Sequence, residues 1–275
     1  MILNCTNKIL SLKSPVIMAI VNVTPDSFYD GGKFTDKDWK EKIINVLSKN
    51  PDIVDLGGMS SRPGADIISA DDEWNRIKEP LLFIKKEFPE TLISIDTIHS
   101  TTAVKSLDLG AHIINDISAG LIDNSIMKAI APYKPAYVMM HMKGNPKYMQ
   151  NNANYSNIML EILDYFKSRI AEASSFGIDN VILDPGIGFS KTIDQNYNVL
   201  NNTHLLKILS DNILIGLSRK SMIYKVLGLS PKESLNGTSV LHLKALQEGA
   251  RILRVHDVDE ARQTILLFEK LSVNK

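Results

Sequence analysis

Eight times along this chain a short apolar run ends in a polar or glycine residue, turns, and passes into a stretch with apolar residues at helical spacing. The runs occupy residues 16–21, 53–56, 92–95, 112–114, 136–140, 181–183, 213–215 and 252–253. Helical patterns follow at 38–49, 71–86, 100–109, 124–131, 157–176, 192–209, 234–248 and 258–271. Strands that alternate with helices must pair in parallel through right-handed crossovers. Eight such units in 275 residues, with no low-complexity linker, fit a closed (β/α)8 barrel, a TIM barrel, better than an open sheet. Residues 1–15 show alternating apolar positions around Thr6-Asn7-Lys8, which predicts a β-hairpin capping the barrel bottom. The organisation is therefore a single α/β domain over 1–275, with the hairpin at 1–15 and the barrel at 16–275.

In such barrels the chemistry sits at the C-terminal ends of the strands. Here those ends carry Asn22, Asp96, Asn115, His141, Asp184, Lys220, Arg254 and His256. Asp96, Asp184 and Asn115 can exchange hydrogen bonds with a planar heterocycle bearing amino and ring N–H groups. Arg62, Arg219, Lys220, Arg254 and His256 suit an anion, above all phosphate. Asn22 can add one oxygen ligand to a Mg2+ held mainly by phosphates.

Duller roles exist for the same residues. Asp96 and Asp184 could cap helices, and Asn115 could tie loops together. His141 reads as structural. Asp55 points toward the barrel, but its glycine neighbours favour loop support.

Composition removes several other classes. With 31 basic and 31 acidic side chains the formal net charge is zero, which argues against a nucleic-acid surface. Cys5 is the only cysteine, so no intrachain disulfide forms and a reducing, cytoplasmic setting is expected. No apolar run approaches the ~20 residues of a membrane span, and no signal peptide is evident. The segment GIGFSKT from Gly186 lacks Walker spacing, no HExxH or paired cysteines are present, and Ser218 has no nucleophile-elbow pattern. The site looks electrostatic rather than covalent.

Along residues 16–261 the chain carries, in order, NVTPDSFYDGG, DLGGMSSRPGA, SIDT, NDISAG, MHMKGNP, LDPGIGFSKT, GLSRKS and RVHDV. This ordered set resembles dihydropteroate synthase. The resemblance implies a pterin-binding barrel enzyme of folate biosynthesis, a transferase using small-molecule substrates and Mg2+, a homodimer through helices near the chain's end, and a sulfonamide target. It implies that Asp96, Asn115, Asp184 and Lys220 bind the pterin, with Ile117, Met140, Phe189 and Gly216 lining its pocket. Arg254, Asn22 and His256 would face the diphosphate and Mg2+. Phe28, Ser61, Arg62, Pro63, Lys220 and Ser221 would border the aminobenzoate site as loops 23–35 and 57–70 close. Alternatives are a methyltetrahydrofolate-dependent methyl transferase and a non-catalytic pterin binder. Three positions depart from the family pattern: Met59 stands where Glu is frequent, Ser61 where Thr is usual, and Ser190 where Gly is usual. Ser190 calls for an unstrained backbone angle.

Overall fold

A computed structural model of the protein describes residues 2–24, 36–60 and 64–272. The hairpin pairs β1 (Ile2–Cys5) with β2 (Lys8–Ser11) antiparallel. Then come β3 (Val16–Asn22), α1 (Asp36–Leu47), β4 (Ile53–Gly57), α2 (Ala70–Glu87), β5 (Leu92–Asp96) and α3 (Ser100–Asp108). The chain continues through β6 (Ile113–Asp116), α4 (Ile126–Ile130), β7 (Ala136–Met140), α5 (Ile158–Ser175), β8 (Val181–Asp184) and α6 (Ile193–Asn201). It ends with β9 (Leu214–Ile215), α7 (Ser221–Leu227), α8 (Leu235–Gln247), β10 (Ile252–Val255) and α9 (Val258–Ser272). Eight parallel strands lie in the order β8-β7-β6-β5-β4-β3-β10-β9. A parallel bridge between Leu183 and Ile213 joins the two ends of that order and closes the ring.

The period-2 alternation of strand side chains explains both the core and the site. Inward positions near the bottom are apolar: Met18, Ile53, Leu92, Ile113, Val138, Ile182, Leu214 and Ile252 form one cluster. Leu3, Cys5, Leu10 and Leu12 complete it, so the hairpin plugs the barrel as its alternation predicts. Outward positions such as Val54, Leu56, Ile93, Ile95 and Ile114 pack against helical residues including Ile77, Leu81 and Ile84. Each fully buried aliphatic side chain contributes about 1.5–3 kcal/mol. Two residues up from Ile53, Leu92, Ile113 and Ile252, the inward residues are Asp55, Ser94, Asn115 and Arg254. The barrel interior thus changes from oil to charge within one side-chain layer, and that layer is the floor of the site.

Two helical expectations need correction. The pattern at 192–209 is not one helix: α6 stops at Asn201 and a 3-10 segment, Thr203–Ile208, follows. The Asn202 side-chain amide donates to the Asn198 carbonyl at 2.8 Å and closes the first piece. The other difference is α7, a short helix between β9 and α8 that the sequence pattern does not show. Gly228, at φ 67°, ends it in the left-handed region that glycine tolerates.

Candidate active site

The floor is a charge network spanning four strands. Arg254 of β10 donates from Nε to Asp55 Oδ2 at 2.7 Å and from Nη2 to Asp96 Oδ2 at 2.6 Å. Asn115 donates from Nδ2 to Asp55 Oδ2 at 3.0 Å, and Ser94 Oγ donates to Asp55 Oδ1 at 2.6 Å. Asp55 has no solvent exposure at all. The loop-support role expected for it is therefore wrong: it sits in the barrel and ties its own strand to three others. Burial pushes the Asp96 carboxyl up to about 7, with Arg254 pulling the other way. Arg254 is held above its ordinary value because Asp55 and Asp96 more than offset its burial.

Asp184 stands at the end of β8, where its Oδ1 accepts from Gly186 N at 2.8 Å. It caps no helix: the carboxylate organises the turn that follows it. Burial raises its pKa and the charge of Lys220 opposes the rise. The turn is forced tight against β7, since a Cβ on Gly186 (φ 70°) would come within 2.0 Å of the His141 carbonyl oxygen. Gly188 (φ 87°) gives Lys220 room to pass, with Lys220 Cδ 3.1 Å from where a Cβ would be. Lys220 then donates to the Ile187 carbonyl at 2.6 Å and lies 4.7 Å over the Phe189 ring. Burial brings its pKa down to about 8 against the pull of Asp184.

A buried lysine that sequence reasoning missed fastens this turn. Lys191 Nζ lies 3.0 Å from the Gly186 and Phe189 carbonyls and 3.1 Å from His141 Nδ1. Desolvation lowers the His141 pKa to about 2, with Lys191 adding to the effect, so the ring is neutral and its Nδ1 accepts. His141 is structural, as expected. Ser190 is not unstrained, however: its φ is 47°, which costs a non-glycine residue about 1–2 kcal/mol. Two contacts offset that cost. Lys143 N donates to Ser190 Oγ at 2.8 Å and Tyr155 Oη to the Ser190 carbonyl at 3.0 Å.

One wall of the cleft is apolar. Ile117, Met140 and Phe189 share a buried cluster with Met59, Ile98, Met142 and Met149. Met59 is thus a packing residue in the wall. Asp116, turned outward from β6, fixes the loop carrying Ile117 by accepting from Ser118 N, Gly120 N and Tyr137 Oη at 2.6–2.7 Å. Gly216 leaves open the space beside Lys220 Nζ and Arg254, both 3.8 Å from its absent Cβ.

The opposite rim holds Asn22 and His256. A Cβ on Gly57 would lie 3.1 Å from Asn22 Oδ1 and 3.7 Å from Asp96 Oδ2, so that glycine keeps the space between the two oxygens clear. His256 is exposed, and its Nδ1 lies 3.2 Å from Ser218 Oγ. Its pKa is lowered through desolvation and then through the charge of Arg254, which favours the neutral ring over the cation. Arg219 does not join the anion-facing set. It pairs with both oxygens of Asp257 at 2.8 and 2.9 Å and donates to the Pro231 and Lys232 carbonyls. Ser221 opens α7 directly after Lys220. Phe28, Ser61, Arg62 and Pro63 lie outside the described residues, and so does most of the first loop expected to close.

The cleft therefore presents acceptors from Asp96, Asn115 and Asp184 on one side and positive charge from Lys220 and Arg254 beside them. Among the described residues there is no cluster of three or more His, Cys, Asp or Glu fit to hold a metal by itself. No helix among them is long and apolar enough to cross a membrane.

Comparison with known proteins agrees with this geometry. The model of a family described as pterin binding enzyme matches residues 18–256. The dihydropteroate synthase of Escherichia coli K12 is 38% identical over 263 residues, covering 94% of this chain and 93% of that protein. The Yersinia pestis dihydropteroate synthase, solved with a sulfonamide drug complex, superposes with a TM-score of 0.93 at 33% identity over the full length of both chains. The Xanthomonas albilineans dihydropteroate synthase with 4-aminobenzoic acid gives 0.91 at 32% identity, covering 98% of this chain and 97% of that one. The chain belongs to the pterin-binding enzyme family, within its dihydropteroate synthases.

Proposed function

We propose that this protein joins 7,8-dihydropterin-6-ylmethyl diphosphate to 4-aminobenzoate, releasing pyrophosphate and forming 7,8-dihydropteroate for folate biosynthesis. The observation that carries this reading is the meeting of Asp96, Asn115 and Asp184 with Lys220 and Arg254 in one cleft, beside an apolar wall suited to a flat ring. Carboxylate and amide oxygens accept from the amino and ring N–H groups of a pterin. Ile117, Met140 and Phe189 pack its faces.

The diphosphate then falls toward Arg254, Asn22 and His256. Asn22 Oδ1, beside the space that Gly57 keeps clear, would hold a Mg2+ together with the diphosphate oxygens. Such an ion, when bound, neutralises charge on the departing group. Arg254 stabilises the same developing charge, and His256 donates a hydrogen bond as a neutral ring. The C–O bond breaks with its electron pair leaving on the diphosphate. The resulting ring-stabilised carbocation is supported by the Asp96 and Asp184 carboxylates. The amine of 4-aminobenzoate attacks, the C–N bond forms, and the resulting ammonium gives its proton to water. This is an SN1-like order, and holding both partners together supplies much of the acceleration.

Phe28, Ser61, Arg62, Pro63 and Ser221 border the 4-aminobenzoate position in this reading, and sulfonamides compete there. Exposed Leu227, Val240, Leu266, Leu267 and Leu271 on α7, α8 and α9 support a homodimer through these helices, and a single, buried cysteine suits a reducing, cytoplasmic setting. A methyl transferase or a silent pterin binder would share the strand-end carboxylates, but neither calls for Asn22, Lys220, Arg254 and His256 together.

The pocket assignment is tested by calorimetric titration with a pterin. Asp184→Asn and Lys220→Ala are each expected to weaken binding by about 1–3 kcal/mol, the range for a lost charged hydrogen bond. Unchanged affinity in both variants would remove the assignment.

A pH dependence follows from Asp96. Its ionised form is the acceptor, and burial sets its pKa near 7. Protonation as pH falls through about 7 removes that acceptor, so kcat/KM is expected to decline on the acid side at a pH well above the ordinary aspartate range. Asp96→Asn should abolish this limb along with most activity. A wild-type profile flat from about pH 5 to 8 would contradict it.

A further inference from the structure

Asp55 faces no ligand in the proposed reaction, yet three groups of the floor are oriented by it. Its Oδ2 receives Asn115 Nδ2 at 3.0 Å and Arg254 Nε at 2.7 Å, and its Oδ1 receives Ser94 Oγ at 2.6 Å. An ionised carboxylate only accepts hydrogen bonds. The Asn115 atom facing it must therefore be the NH2 group, and the amide oxygen is the end left for another partner. Without such a restraint an asparagine can turn its amide over and offer a donor or an acceptor at nearly equal cost. The same carboxylate takes Arg254 by its Nε while Asp96 takes Nη2, so the guanidinium cannot rotate into the place of the ring.

We propose that Asp55 is a positioning residue that fixes the hydrogen-bond polarity of the ring-binding edge. With the Asn115 oxygen turned outward, Asp96, Asn115 and Asp184 form an all-acceptor row. A ring edge facing such a row must present donors. It selects a fused heterocycle carrying an exocyclic amino group and a protonated ring nitrogen, and rejects the same ring with an oxo group in place of the amino group. An oxo oxygen would face carboxylate and amide oxygens with no proton between them. The inference rests on the pterin reading of this cleft and extends it to how the ring is told from its oxo counterpart.

The test compares two affinities measured by calorimetry on the full chain: for a 2-amino-4-oxo pterin and for the 2,4-dioxo form of the same ring. The wild type is expected to prefer the amino form by at least about 100-fold, since a site built for donors leaves buried acceptors unpaired by the analogue. Asp55→Asn is nearly isosteric and can itself donate, which lets Asn115 invert. This variant is expected to bind the amino ring at least tenfold more weakly and to lose most of the discrimination. In an Asn115→Ala background, Asp55→Asn should change the preference little further. Ser94→Ala, which removes only an anchor of Asp55, should lower the ratio severalfold and serves if Asp55→Asn does not fold. A folded Asp55→Asn, or Ser94→Ala, with the wild-type ratio overturns the proposal and leaves the pterin reading intact. A wild type that binds neither ring overturns both.

Discussion

Arg254→Met is expected to cost the protein about 3–5 kcal/mol of stability and nearly all of its activity. The arginine side chain ties β10 to β4 and β5 through two short ion pairs, to Asp55 at 2.7 Å and to Asp96 at 2.6 Å. Asp55 has no exposure and Asp96 almost none, so neither carboxylate can recover its hydration when the cation goes. Two effects oppose each other here. A well-packed buried ion pair adds little over an apolar pair of the same size, because desolvation cancels most of the Coulomb gain. Removing one partner alone leaves the other's desolvation uncompensated, and that penalty dominates at about 3–5 kcal/mol. Against a total stability of roughly 5–15 kcal/mol this is a large fraction. Loss of transition-state charge stabilisation should lower kcat by a further factor of roughly 100 to 1000, on the order seen for single preorganised donors. Arg254→Lys keeps the charge but not the planar fork, so it cannot reach both carboxylates in the same geometry and should recover only part of each loss. Thermal unfolding and steady-state kinetics of both variants check this. A melting temperature unchanged from wild type in Arg254→Met would show that the network does not hold the strand ends together.

Gly186→Ala is the second large effect. The residue has φ 70°, where any Cβ is strained, and its added Cβ would meet the His141 carbonyl oxygen at 2.0 Å. That oxygen belongs to backbone at the end of β7, so no side chain can swing aside. Either the β7 end moves or the turn after Asp184 does. In the second case the Gly186 N–H contact with Asp184 and the carbonyl that holds Lys191 both shift. Gly228 supplies the control, because it has φ 67° with nothing within 4 Å of its absent Cβ. Gly228→Ala should cost only about 1 kcal/mol, from backbone strain alone. Gly186→Ala should cost about 3 kcal/mol or more and weaken pterin binding as well, whereas Gly228→Ala should leave binding unchanged. Denaturant unfolding of the two variants measures the difference. Equal destabilisation would mean that the collision is absorbed without displacing the turn.

Much of this structure is legible in the sequence because the barrel is built from local patterns. Each apolar run carries its own strand signal, and the polar residue at its end lands at the mouth whatever its partners are. Asp96, Asn115, Asp184, Lys220 and Arg254 stand out in that way, and the structure brings them into one cleft. The layer below is readable in principle: Asp55 shares the inward parity of Ile53, and Ser94 that of Leu92. What makes Asp55 important is not readable, since its partner Arg254 lies 199 residues away and meets it only once the ring closes. The same limit hides the partners of Arg219, which is taken by Asp257, and of Lys191, which is enclosed by backbone carbonyls. Sign of charge is equally a property of the fold. A histidine at a strand end looks cationic in sequence, but desolvation and the charge of Arg254 keep His256 neutral. Ser190 shows the converse, a strained angle held by Tyr155 and the Lys143 backbone, neither of them adjacent in sequence.

The central claim is that this cleft transfers a pterinylmethyl group from diphosphate to an aromatic amine. The most direct measurement is a single-turnover reaction of the purified protein with 7,8-dihydropterin-6-ylmethyl diphosphate, Mg2+ and 4-aminobenzoate, quantifying both products. The prediction is that dihydropteroate and pyrophosphate appear in equal amounts, and that both form roughly 100 to 1000 times more slowly in Arg254→Met. Pyrophosphate without dihydropteroate, or no turnover from a folded protein that binds both substrates, would contradict it.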